Sequence, residues 1–291
     1  MWLGERNTMM TKEEIYQKIK EQLSLEFNCA PEDFEKTENT ISSAVLHEKR
    51  RKFSEKPFFL QMATFGRETV ISADESIRPW LTKWVDGKTG FWLFEQHNFY
   101  DLEQELRKHG YKMSLTHHMF LPKPELLNGK PELMKPELLN GKPEQLKCKS
   151  ELQDCKPDFK IRILEQQELM EFYGREEFSN ALSDHFRPDR PDMLAVVALD
   201  GEKIMGMAGC SADTPEFWQI GIDVLPEYRG KGVARTLVAL IRDETFKRGA
   251  IPYYGTSLSN LASWKTALAS GFEPAWVETE ARENTFDTFA K

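Results

Sequence analysis

The chain has 291 residues, a formal net charge of −8, and a composition that is 40% hydrophobic and 30% charged. That is chain enough for two ordinary domains, with nineteen Phe and seven Trp to build their cores. The acidic balance excludes a general nucleic-acid or anionic-membrane surface, which needs a basic face, but not a local basic pocket for a phosphorylated ligand.

Residues 1–9 read as an extension ahead of a capping-box signal, Thr11 to Glu14. They lack the basic-then-apolar layout of a signal peptide, and no apolar run approaches the roughly 18 residues of a membrane span. A cytoplasmic protein is the expectation. The four cysteines, Cys29, Cys148, Cys155 and Cys210, form no C-x-x-C pair. They are read as reduced thiols with no metal site. His117 and His118 are read as strand surface.

A first α/β unit is expected over 10–121. Ile15, Ile19, Leu23 and Phe27 make the apolar stripe of an amphipathic helix over 11–27. Strands are expected at 58–65, 68–72 and 91–94, a charged helix at 102–109 ending on Gly110, and an extended segment at 111–121. A twelve-residue repeat follows, KPELLNGKPELM at 123–134 and KPELLNGKPEQL at 135–146. Its prolines block a long helix, so 122–157 is read as a linker expanded by duplication.

The second unit, 158–291, alternates element types. Strands are expected at 159–164, 193–199, 203–212, 217–225, 251–256 and 272–279. Helical segments are expected through Asp184, at 232–248 and at 260–270. Hairpin strands first, then strand–helix–strand–helix–strand, make a mixed α/β sheet.

The informative segment is Glu227-Tyr228-Arg229-Gly230-Lys231-Gly232-Val233-Ala234, which follows a β-pattern and runs into an apolar helix. Its glycines allow a tight turn, and the unpaired amides at the helix start favour phosphate. Arg229 and Lys231 add charge. No Walker A spacing is present, and Arg235 stands where a Rossmann fingerprint needs its third Gly.

The segment resembles the GNAT superfamily of N-acetyltransferases, whose cofactor loop reads [QR]-x-x-G-x-[GA]; Arg229, Gly232 and Ala234 fill it. Many members also carry N-x-x-A-x-x-x-Y-x-x-x-G-F, and Asn260, Ser263, Ala267, Gly271 and Phe272 stand at those spacings. The resemblance covers 158–291. It implies a mostly antiparallel GNAT-type sheet flanked by helices, and strand 217–225 splaying from strand 251–256. It implies acetyl-CoA as co-substrate without a metal, its pantetheine arm paired along Asp223, Val224 and Leu225. The pyrophosphate would rest on the amides of Gly230, Lys231, Gly232, Val233 and Ala234 beside Arg229, while Asn260 would hold the polar groups of the arm and Ser263 would join the cofactor-binding set. A primary amine of a small molecule or peptide would then attack the thioester directly.

The family's usual acid and base are missing: Ala267 replaces the tyrosine of the second block, and Gly255 stands where some members have Glu. Tyr253, Tyr254, Ser257 and Asp223 are the candidate substitutes. The rival is an acyl-CoA-binding module that has lost the chemistry. The helix, Gly110-Tyr111 and strand of the N-terminal unit echo the helix, Gly271-Phe272 and strand of the second. That unit is therefore read as a degenerate GNAT-like copy without a cradle, serving the acceptor pocket or a homodimer surface.

Overall fold

The computed structural model describes residues 10–123 and 159–284. The repeat, Cys148 and Cys155 lie outside the described residues. In chain order the N-terminal elements are α1 (Lys12–Phe27), β1 (Thr40–Ser43), β2 (Leu60–Thr64), β3 (Thr69–Ala73), α2 (Arg78–Trp84), α3 (Gln96–Lys108), β4 (Tyr111–Met113) and β5 (His117–Pro122). There follow β6 (Lys160–Glu165), β7 (Asp192–Asp200), β8 (Lys203–Ala212), β9 (Phe217–Val224), α4 (Val233–Lys247), β10 (Ile251–Ser257), α5 (Leu261–Ala269) and β11 (Phe272–Glu283). This is the mixed, mostly antiparallel α/β architecture expected from the sequence.

The chain forms two compact units. Among the described residues, one comprises 13–119, 256–259 and 274–284; the other is built chiefly from 120–123, 159–255 and 260–273. The C-terminal strand therefore groups with the N-terminal unit. There Val277 to Glu280 of β11 pair antiparallel with Thr64 to Gln61 of β2, and β4 pairs with Ala281 to Glu283. Outward from β2 come β3, antiparallel, and β1, parallel to it. The α1 stripe of Ile15, Ile19, Leu23 and Phe27 is buried as expected.

Two expectations for this unit need correction. Gly90–Phe94 is a 3-10 turn, not a strand, with only Gly90 and Leu93 buried. Its spacing of three suits 3-10 geometry, and a Cβ at Gly90 would lie 2.3 Å from the backbone of Glu68. The helix expected at 102–109 begins earlier, at Gln96. The short α2, started by Pro79 and carrying the stacked pair Trp80 and Trp84, gave no periodic signal.

In the other unit the order runs β6-β7-β8-β9-β10, all antiparallel except the β9–β10 pair. One sheet face packs Leu194, Val196, Ala208 and Ile220 against Val233, Leu237 and Ile241 of α4. The opposite face packs Ala195, Val197 and Met207 against Leu169, Phe172, Phe178 and Leu182. The helices expected through Asp184 are instead two 3-10 turns, Gln166–Glu171 and Glu176–Phe178. A cause is visible in the sheet beneath. Cβ atoms at Gly221 and Gly209 would lie 1.8 Å from Asn180 O and 2.0 Å from Ala181 O. Backbone lies flat on backbone here, closer than a helix about 10 Å across permits.

Candidate active site

The site begins where two parallel strands part. β9 and β10 pair from Phe217/Ile251 only as far as Ile220/Tyr254. Beyond that point Gly221 to Val224 continue on β8 alone, from Gly209 to Gly206. One edge of β9 is thus left open over four residues, and all four are half-buried. Such an edge can accept an added extended ligand strand.

The chain then turns through Pro226–Tyr228 into α4. The residue before that turn is tied to the sheet, Leu225 N donating to Met205 O at 2.9 Å. Tyr228 is buried, its hydroxyl 3.3 Å from Asp200 and its ring flanked by the ammonium groups of Lys203 and Lys231 at 5.4 and 5.2 Å. Gly232 caps α4 with φ = +79°, a left-handed conformation that a side chain would strain. After Arg229, whose amide donates to Pro226 O at 3.3 Å, the next amide to reach a carbonyl is that of Thr236, donating to Gly232 O at 3.1 Å. The amides before it, from Gly230 to Arg235, have no partner among the described residues. Unpaired amides, the positive end of α4 and the exposed Arg229 and Lys231 make an anion cradle beside the open edge.

Across the fork, Tyr254 is the last residue of β10 paired with β9. Its ring is buried among Phe120 and Phe272, and its hydroxyl lies 2.7 Å from Ser263 Oγ on α5. Burial, with the Asp223 carboxylate in support, pushes its pKa above the usual phenol value, against the lowering effect of Ser263. Tyr254 is therefore a protonated phenol through the physiological range. Asn260 caps α5, its Oδ1 accepting from Ser263 N at 3.1 Å. Its carboxamide nitrogen has no partner among the described residues.

The other candidates are placed differently. Tyr253 is fully buried, and its hydroxyl donates to Asp213, which also accepts from Arg190. Asp223 accepts at Oδ2 from Asn180 N (2.7 Å) and Ala181 N (2.9 Å), and at Oδ1 from Asn180 Nδ2 (2.7 Å). It pins the flat segment over Gly221, a contact that no sequence spacing announces. Ser257 is half-buried at the end of β10 and groups with the other unit. Ala267 faces the core at 0% exposure.

Residues 160–272 match the model of the Acetyltransferase (GNAT) family. This segment is a GNAT acetyltransferase domain.

Several solved structures are similar to the chain at low identity. A GCN5-related N-acetyltransferase-like protein from Streptococcus suis is 20% identical, over 65% of this chain and 69% of its own, with a TM-score of 0.38. A GCN5-related N-acetyltransferase from Kribbella flavida is 13% identical, over 64% of each chain, with a TM-score of 0.39. The ribosomal-protein-S18-alanine N-acetyltransferase from Escherichia coli is 17% identical, over 46% of this chain and 98% of its own, with a TM-score of 0.31. Comparison with curated proteins finds no match.

Proposed function

We propose that the GNAT domain binds acetyl-CoA and passes its acetyl group directly to a primary amine of a small molecule or peptide. The observation that carries this reading is the fork itself: the open edge of β9 leads straight to the unpaired amides of Gly230 to Ala234. A pantetheine arm would pair with Val224, because Leu225 N and O are taken by Met205 O and Tyr228 N, and the pyrophosphate would lie on the amides of Gly230 to Ala234 with Arg229 and Lys231 beside it. Asn260 would donate its carboxamide to the arm.

Tyr254 is the group proposed to protonate the leaving thiolate, with Ser263 holding its hydroxyl. It stands at the apex of the fork, is protonated, and meets α5 one turn before Ala267, on the same helix face. Tyr253 would act only by way of Asp213. Asp223 could serve as a base only by releasing Asn180 or Ala181, and Ser257 is assigned no step. Holding the two reactants together supplies much of the rate in a direct transfer.

A second reading, an acyl-CoA-binding module without turnover, is favoured by one observation. The family's tyrosine position is a core alanine, Ala267. A thiol-release assay over a panel of amines separates the two readings. CoA release that depends on an added amine supports the transferase. Tight CoA binding in calorimetry, with no amine on the panel raising thiol release, supports the module.

A further inference from the structure

The N-terminal unit contains a cleft that the acetyltransferase reading does not use. Its walls are Val45, Leu46, Phe53 and Phe58, and its floor is Glu26 and Arg51. Three wall residues are large apolar side chains left in solvent: Val45 is 49% exposed, Phe53 39% and Leu46 38%. Exposed apolar side chains are ordinary singly; three around one cleft are the usual lining of a ligand site.

The charges around the cleft are unbalanced in one direction. Glu26 is its only acid, and both of its oxygens are consumed. Oε1 accepts from Arg51 Nε at 3.0 Å, Arg51 N at 3.1 Å and Gln22 Nε2 at 3.0 Å, while Oε2 accepts from Arg51 Nε and Nη2. Arg51 is itself shared with Glu278, at 3.1 and 2.8 Å, so the floor is closed to a ligand's charge. Two cations remain. Among the described residues Arg50 donates only to carbonyls, those of His47 and Ser54, and its Nε is enclosed without a partner there. Lys56 pairs with no carboxylate among the described residues. A half-buried guanidinium with no counter-anion is an unfavourable arrangement that an incoming anion relieves.

We propose that this cleft binds a small amphipathic carboxylate, its apolar chain against Val45, Leu46, Phe53 and Phe58 and its carboxylate between Lys56 and Arg50. An amine of the same chain length meets the wrong sign of charge, and a short acid has no chain to bury. The proposal stands whether or not the GNAT domain turns over.

The test is calorimetry on the full chain with octanoate, octylamine and acetate. Octanoate is expected to bind saturably at one site, with neither octylamine nor acetate doing so over the same range. Lys56→Glu and Val45→Asp, both at exposed positions, are each expected to weaken octanoate about ten-fold or more. Unchanged thermal midpoints show that these variants fold. Failure of octanoate to saturate overturns the site. Equal binding of octylamine shows an unselective apolar patch and overturns it too, as does wild-type affinity in both variants. An apolar peptide bearing an internal acid that outcompetes octanoate would make the cleft a protein-docking groove instead.

Discussion

Arg229 Nε donates to the carbonyl oxygen of Val224 at 3.1 Å. The side chain best suited to a pyrophosphate thus folds back onto the last carbonyl of the open β9 edge, the same carbonyl proposed to receive the pantetheine arm. One ligand would claim both partners. Binding therefore has to release Arg229 from Val224, and the freed guanidinium gains a phosphate in exchange. Arg229→Glu puts a carboxylate on the cradle and should weaken acetyl-CoA about ten-fold or more in calorimetry. Arg229→Ala loses the phosphate contact but also the competing bond, so its loss should be smaller. Equal affinity for wild type and Arg229→Glu would remove the cofactor from this loop.

Tyr254→Phe keeps the ring among Phe120 and Phe272 and removes only the hydroxyl. If that hydroxyl protonates the thiolate, thiol release should fall on the order of 10²-fold with acetyl-CoA affinity nearly unchanged. The pH dependence follows from the direction of the shift. Burial raises the phenol's pKa, so the proton-bearing form persists through neutral pH and is lost only above the ordinary phenol range. The wild type should hold its rate into alkaline buffer, where Tyr254→Phe lacks the final descending limb. A descending limb common to both proteins would assign that ionisation elsewhere.

The cradle was legible in the sequence because it depends on local signals, whereas the fork was expected only from the family resemblance. Two glycines within three residues, and a β-pattern running into an apolar helix, are read along the chain. The anchoring of Asp223 was not legible. Its partners, Asn180 and Ala181, lie more than forty residues away and belong to a segment whose apolar spacing suggests a helix. What flattens that segment is the absence of side chains on other strands, at Gly209 and Gly221. Tertiary close approach overrides a local pattern there. The run 90–94 failed for a related reason: consecutive apolar residues do not distinguish a strand from a 3-10 turn packed against one. The partners of Tyr253 and Tyr254 were half legible, since alternation sends them to opposite faces but cannot say that Asp213 and Ser263 wait there.

Gly221→Ala tests that close approach. The new Cβ would lie 1.8 Å from Asn180 O, a backbone atom, so the segment over the strand has to lift. Destabilisation of about 1–3 kcal/mol is expected from such overpacking, read as a lower midpoint in urea. The amides of Asn180 and Ala181 should also lose protection from hydrogen exchange. Asp223→Ala, which leaves those two amides without their acceptor and adds no atoms, should expose the same pair with a different strain pattern. Retained protection in both variants would show that the segment is held from elsewhere.

Restoring the family residue should not restore the family's chemistry. Ala267 has no exposed surface and packs within the core between α4 and the sheet. Ala267→Tyr must push its ring either into that core or past Ser263, where the Tyr254 hydroxyl already lies. The expected result is a lower thermal midpoint, by an amount corresponding to about 1–3 kcal/mol, and thiol release no faster than wild type. A stable, faster variant would show that the site has room for the helix tyrosine and that Tyr254 is dispensable.

In the N-terminal unit the almost wholly buried Arg51 is held between Glu26 and Glu278, with Trp276 Nε1 donating to Glu278 at 2.7 Å. Removing the cation strands two carboxylates in a part-buried site. Arg51→Met should therefore destabilise by about 3–5 kcal/mol, well beyond the loss of an exposed pair. The pH response separates charge from packing. Burial alone would raise the Glu278 pKa, but the Arg51 charge and hydrogen bonds, with the Trp276 indole, hold it below the usual value. A depressed carboxylate contributes its stability above the unfolded pKa and loses it as pH falls through the folded one. In wild type, unfolding free energy should therefore decline on acidification below the ordinary Glu range. In Arg51→Met the Glu278 carboxyl is left to burial, which raises its pKa, and acid should narrow the gap to wild type. A gap constant from neutral pH down to pH values below that range would assign the loss to packing of the Arg51 side chain on Trp276 and Phe53 alone.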